Sequence, residues 1–224
     1  MCHPAAVSDF GIVVFTLQVA AISTIVIAPF ALALAAWSWR ASGVTRTVVD
    51  AIGTLPLVMP PTAVGYLLLE LLSRQHVFGR AIPFDILFTP AAVVIACAVM
   101  SFPLMFNAFR VAIDDSNARY FDIARTLGAS RGAAFARVTL PLAWRGLAAG
   151  FILAWCRAIG EFGATILIAG NIPGRTQTLA LAIFDRVQSG QSANALLAYV
   201  VVIAFTAVIA SELLSRAQRR RLAR

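Results

Sequence analysis

The sequence contains no lysine; all 18 of its basic residues are arginines, set against 10 acidic residues in 224. That absence removes whole classes of chemistry. A Walker A loop needs a lysine on the nucleotide phosphates, and Schiff-base catalysis needs one to form the imine. If ATP drives this protein, another chain binds it. Cysteine and histidine are nearly as scarce. Cys2, Cys97 and Cys156 have no metal-like spacing, and the last two sit inside apolar runs where cysteine acts as a small hydrophobe. His3 and His76 are far apart and outside any HExxH pattern. The residues suggest no metal site and no nucleophile–base pair. Charge is scarce too: 12% of residues are charged and 60% are hydrophobic, with a mean hydropathy of +0.86. Soluble domains carry about a quarter charged residues. The net charge of +8 therefore suits a membrane protein with asymmetric basic loops better than a nucleic-acid binder.

What is present is a series of apolar runs long enough to cross a bilayer, each needing ~20 residues. They cover residues 10–39, 51–69, 86–109, 146–169 and 187–211. The expectation is an all-α membrane protein of about five spans, a single transmembrane domain over residues 1–224. The first run is longer than the apolar region of a signal peptide, and Pro29 is placed to kink it. The second contains Pro60 and Pro61, which remove two backbone donors where lipid cannot replace them. The break must pack on protein or line a wet cavity. Residues 178–188 are too short and charged to cross, and read as a surface helix.

Orientation follows from arginine. Thirteen arginines fall on the side holding residues 40–46, 110–145 and the tail from 216. Four fall on the other, and Arg157 lies within a run. The thirteen-arginine side is expected to be cytoplasmic, with the N-terminus periplasmic and the C-terminus cytoplasmic.

Residues 114–140 are too long for a bare connector. Tyr120, Ile123, Ala124 and Leu127 form one apolar stripe at helical spacing. Gly128 suits the C′ position ending that helix, and Ser130 the N-cap of a second. Pro141 is expected to open the next membrane helix. The pattern is two short amphipathic helices at a glycine elbow, for docking a protein partner or for lying on lipid headgroups.

The order Asp122-Ile123-Ala124, three residues, Gly128, nine residues, Val138-Thr139-Leu140-Pro141 resembles the EAA–G–I–LP loop of importer permeases of the ABC family. Asp122 stands for the usual Glu, Ile123 for the first Ala and Val138 for the usual Ile. LPLVMPPTAVGYLLL (55–69), MSFPLM (100–105), ARTLGASR (124–131) and GEFGATILIAGNIPGRTQT (160–178) look like the molybdate permeases of that family. Sulfate permeases share related versions of several. The resemblance implies the small permease core of type I importers, MetI-like, used as a homodimer. It implies two ATPase subunits carrying ATP and Mg, and a periplasmic oxyanion-binding protein. This chain itself would bind no cofactor and perform no chemistry. The segment 114–141, with Asp122, Ile123, Ala124, Leu127, Gly128, Ser130, Val138, Leu140 and Pro141, would couple it to the ATPase. The implied setting is the bacterial inner membrane, multi-pass, in contact with lipid and not with nucleic acid.

Within the membrane, Arg157 and Glu161 are four residues apart and are expected on one helix face. Ionisable groups there face the bundle or a cavity. They either flank the pathway or form a neutral pair that locks two helices. Pro60, Pro61, Gly160, Phe162, Gly163 and Thr165 complete the pathway or gate candidates. Asn171, Arg175 and Thr176, in or beyond the turn at 171–174, are candidates to meet an incoming binding protein. The rival readings are a sulfate or tungstate importer of the same family, and a self-sufficient ion-driven transporter or channel.

Overall fold

The computed structural model describes residues 8–75, 79, 85–116 and 118–222. α1 (Asp9–Arg40) begins at Ser8, whose hydroxyl accepts from the Gly11 amide at 3.2 Å. One stripe of α1 is buried at intervals of three and four residues, through Ile12, Thr16, Ala20, Thr24, Ile27, Ala31, Ala35 and Ser38. The other side exposes Phe10, Ile22, Ile25, Val26 and Phe30. A helix that is apolar all round suits a membrane span, and α1 is long and apolar enough for one. Buried hydroxyls turn back onto their own helices, as Thr16 does to the Ile12 carbonyl (2.8 Å), Thr24 to Ala20 (2.8 Å) and Ser101 to Cys97 (2.6 Å). These three donors are therefore not stranded.

The second run is not one helix. α2 (Gly43–Val58) and α3 (Pro61–Leu72) meet at 104° across Met59 and Pro60. Pro60 and Pro61 cannot supply the amide hydrogens that the Pro56 and Leu57 carbonyls would take in a continuous helix. α4 (Pro90–Asp114) starts at Pro90, later than the run that begins at 86, because proline suits the first helical turn and fits poorly beyond it. Residues 86–89 instead form a turn in which Phe88 takes a positive φ.

α5 (Ala118–Thr126) and α6 (Arg131–Ala134) follow, then a π-turn (Phe135–Thr139) that runs into α7 (Leu140–Ile159). Pro141 stands in the first turn of α7, as expected, and the helical run it joins reaches back through the π-turn to Arg131. The wider turn, with the Leu140 amide on the Phe135 carbonyl, accommodates a proline that lacks its own donor. Nor does the fourth run continue to residue 169. It stops at Ile159 and resumes as the short α8 (Gly163–Ile168). α9 (Leu179–Gln188) is the short helix expected at 178–188. The last span, α10 (Asn194–Leu222), begins well after residue 187, because a turn with Gly190 at positive φ closes α9 first. Among the described residues, four helices are long and apolar enough to cross a membrane, and the bent α2–α3 pair makes five.

α4 is the central helix, packed between α1 and α7 and touched by α2 and α8, while α10 lies outside against α7. Much of the contact is alanine. Ala20, Ala31, Ala35, Ala92, Ala96 and Ala154 are all fully buried, the small-residue packing that brings membrane helices close without a hydrophobic drive between them.

Candidate functional site

Two regions bring the candidate residues together. The first is the elbow at the arginine-rich end. α5 closes in a Schellman motif: the Ala129 amide reaches the Ala124 carbonyl at 3.0 Å, and the Gly128 amide reaches Arg125 at 3.1 Å. Gly128 has φ +89°, and a β-carbon there would meet nothing within 4 Å. Ser130 then caps α6, accepting from the Ala133 amide at 3.2 Å. The stripe faces outward: Tyr120, Ile123 and Leu127 are exposed, Leu127 at 82%. With Ala124, Val138, Pro141 and Leu142 they line one open, largely apolar groove. Asp122 is exposed beside it. The opposite face is the anchor. Phe121 meets Trp39 of α1 edge-on at 4.9 Å, and Phe135 meets the same ring at 5.8 Å. Among the described residues Tyr120, Ile123 and Leu127 of the stripe are thus left exposed, while the elbow is held from behind by Trp39. Phe121 was legible only as an off-stripe aromatic, and nothing in the local pattern linked it to Trp39, 82 positions earlier.

The second region is where the two broken helices touch. A β-carbon on Gly163 would lie 2.7 Å from the Pro61 Cβ, and one on Gly65 would lie 2.7 Å from the Ala164 Cα. α3 and α8 therefore approach as closely as glycine allows. Pro60, Pro61 and Gly160 are exposed, Phe162 is half-buried, and Gly163 and Thr165 are buried. Gly160 makes no such close approach; it ends α7.

Glu161 does not share a helix face with Arg157, because it lies in the break beyond α7. The pair forms all the same, Arg157 Nη1 to Glu161 Oε2 at 2.7 Å. The second oxygen, Oε1, accepts from the Ala164 amide at 2.9 Å. One carboxylate, 1% exposed, thus joins the last turn of α7 to the first of α8, while Arg157 keeps 29% of its side chain exposed. Burial of a charge at that depth requires such pairing.

The outer candidates divide. Arg175 is exposed and Asn171 half-buried. Thr176 is fully buried and therefore unavailable to an incoming protein; its hydroxyl accepts from the Ile172 amide (3.1 Å) and donates to the Gly170 carbonyl (3.4 Å), closing the turn. Next to it α9 lies antiparallel on α1. The Leu179 amide donates to Thr16 Oγ1 at 2.9 Å, and Arg186 pairs with Asp9 through two contacts, one of 3.2 Å. The Asp9 carboxylate raises the Arg186 pKa above its usual range. Phe184 of α9 then rests on Phe162 at 4.9 Å.

Comparison with known proteins agrees with this architecture. The fold matches a chain of the MetNI methionine ABC transporter in inward-facing conformations, with a TM-score of 0.76 at 17% identity, covering 97% of this chain and 99% of that one. A second match, an amino acid ABC transporter with histidines, has a TM-score of 0.59 at 18% identity. In sequence the chain is 36% identical over 223 residues to the molybdenum transport system permease protein ModB of Escherichia coli (strain K12), covering 96% of this chain and 97% of the relative. It is 32% identical over 214 residues to that of Haemophilus influenzae, covering 92% and 93%. Residues 25–224 match the family model described as the inner membrane component of binding-protein-dependent transport systems. On that match and those identities, the chain belongs to this family and is a multi-pass transport subunit of the inner membrane.

Proposed function

We propose that this chain is the permease of an ATP-driven molybdate importer, moving the oxyanion from periplasm to cytoplasm by alternating access. The observation that carries the reading is the elbow. An apolar groove with a positive-φ glycine at its turn is presented outward and anchored from behind by Trp39. That is a docking surface, and a self-sufficient transporter or channel has no need of one. Two ATPase subunits, which carry ATP and Mg, dock here on a homodimer of this chain, and a periplasmic oxyanion-binding protein delivers substrate at the other face. Molybdate is the assigned substrate because the relatives of near-equal length are named for molybdenum transport.

The substrate is tested by uptake in cells lacking the protein and complemented with it. Unlabelled molybdate should compete for labelled molybdate uptake at least ten times more effectively than sulfate. Dominant competition by sulfate overturns the substrate, and dominant competition by tungstate reassigns it within the family.

Orientation is a separate prediction, resting on the thirteen-to-four arginine split. A cysteine at the exposed position 175 should react with membrane-impermeant thiol reagents added outside. One at the exposed position 127 should react only with reagents that enter the cytoplasm. Reversed labelling overturns the orientation.

A further inference from the structure

A closed cluster of charge joins three helices at the arginine-rich end. Asp50 of α2 accepts from Ser38 of α1 at 2.5 Å and from Arg110 of α4 at 3.2 Å, and lies 3.9 Å from Arg46. Arg46 in turn pairs with Asp114, the last residue of α4, at 2.5 Å. Two carboxylates and two guanidiniums balance one another, each partly shielded from water.

Asp114 stands four residues before α5, so whatever displaces the elbow displaces the end of α4. Asp50 stands one turn from Arg46, and α2 runs unbroken from Asp50 to Val58, ~12 Å at 1.5 Å per residue. There it meets the Pro60–Pro61 break and the tight α3–α8 contact. The segment stays helical through Pro56, which leaves the Ile52 carbonyl without its helical donor, and so links Arg46 and Asp50 to the break. Most of the apolar side of α2 is exposed, at Val44, Val48, Ile52, Leu55 and Val58; beside the charge cluster its buried contacts are Val49 and Gly53, the latter close against the Phe106 ring of α4.

We infer that Asp50 is a positioning residue of the transport cycle: its bonds to Arg110 and Ser38, with the Arg46–Asp114 pair, make α2 the lever that carries movement of the docking elbow to the paired breaks. The inference rests on the proposed ATPase docking.

The test uses the whole complex of permease, ATPase and binding protein in vesicles. ATP hydrolysis is measured with and without molybdate-loaded binding protein, alongside uptake. Asp50→Asn keeps the shape of the side chain and removes its charge. It should retain co-purifying ATPase and unstimulated hydrolysis, and lose stimulation and uptake at least fivefold; Asp50→Glu should recover most of both. A second variant leaves Asp50 in place, with cysteines at positions 46 and 114 and the native cysteines replaced. It should lose stimulation and regain it when a short bifunctional thiol reagent joins the two positions, which a purely stabilising role for the cluster does not explain. Wild-type stimulation in both Asp50→Asn and the unjoined double cysteine overturns the inference and leaves the importer reading intact. If Asp50→Asn fails to reach the membrane, the double-cysteine variant decides. Absence of stimulated hydrolysis in the wild type overturns the importer reading itself.

Discussion

Gly128→Val will leave the chain in the membrane at near-normal abundance, remove the associated ATPase and abolish uptake. The glycine sits at φ +89°, and an added β-carbon meets none of the described residues within 4 Å. The loss is conformational. A β-carbon in the left-handed region costs ~1–2 kcal/mol, and a β-branched residue is worse placed there than alanine. That cost falls on the elbow alone, so the spans keep their packing and the docking conformation is depleted. At ~1.4 kcal/mol per tenfold, docking weakens about five- to thirtyfold from strain, before any bulk added in a partner's groove. Gly128→Ala should fall between wild type and valine. Asp122→Arg should weaken docking by charge alone, with the stripe and elbow unchanged. Membrane abundance, co-purified ATPase and uptake are measured in the same cells. Full uptake with no associated ATPase, in wild type or variant, sinks the importer reading.

Arg157→Ala will deplete the folded protein more than Glu161→Gln does. The two side chains are unequally exposed, 29% for Arg157 and 1% for Glu161. Removing the arginine strands a buried carboxylate, a loss of about 3–5 kcal/mol for a broken buried pair. Glu161→Gln keeps an oxygen for the Ala164 amide and frees an arginine that can still reach water. The double variant Arg157→Ala, Glu161→Ala strands only that amide, ~1–3 kcal/mol, and should be more abundant than Arg157→Ala alone. Thermal inactivation in membranes gives the ranking. Normal abundance of Arg157→Ala with transport alone abolished replaces the structural pair with a pathway role.

These two sites also show what the sequence made legible. The elbow was readable because its signals are local: a stripe at helical spacing, a glycine at C′, a serine at the next N-cap. The break at residues 160–162 was not. Gly160 and Glu161 interrupt an apolar run no more than Arg157 does, and the side chain that joins α7 to α8 does so by a backbone bond no spacing rule reports. The Asp50 cluster was missed for a related reason. Asp50 and Arg110 marked the ends of apolar runs, and their pairing depends on α2 and α4 lying side by side. Thr176 misled in the opposite direction, since a polar residue just beyond an exposed turn looks available until its hydroxyl is seen closing that turn.

The clamp between α1 and α9 bears on how the chain is made. Asp9 and Thr16 leave the ribosome before their partners, and Arg186 and Leu179 follow 177 and 163 residues later. Seven residues separate the two contacts on each helix, so α9 fits α1 in one register. Until it arrives, Asp9 lacks this counter-charge and the Thr16 hydroxyl lacks its second bond. A chain that stalls before residue 179 therefore lacks both contacts and leaves this face of its first helix unfinished.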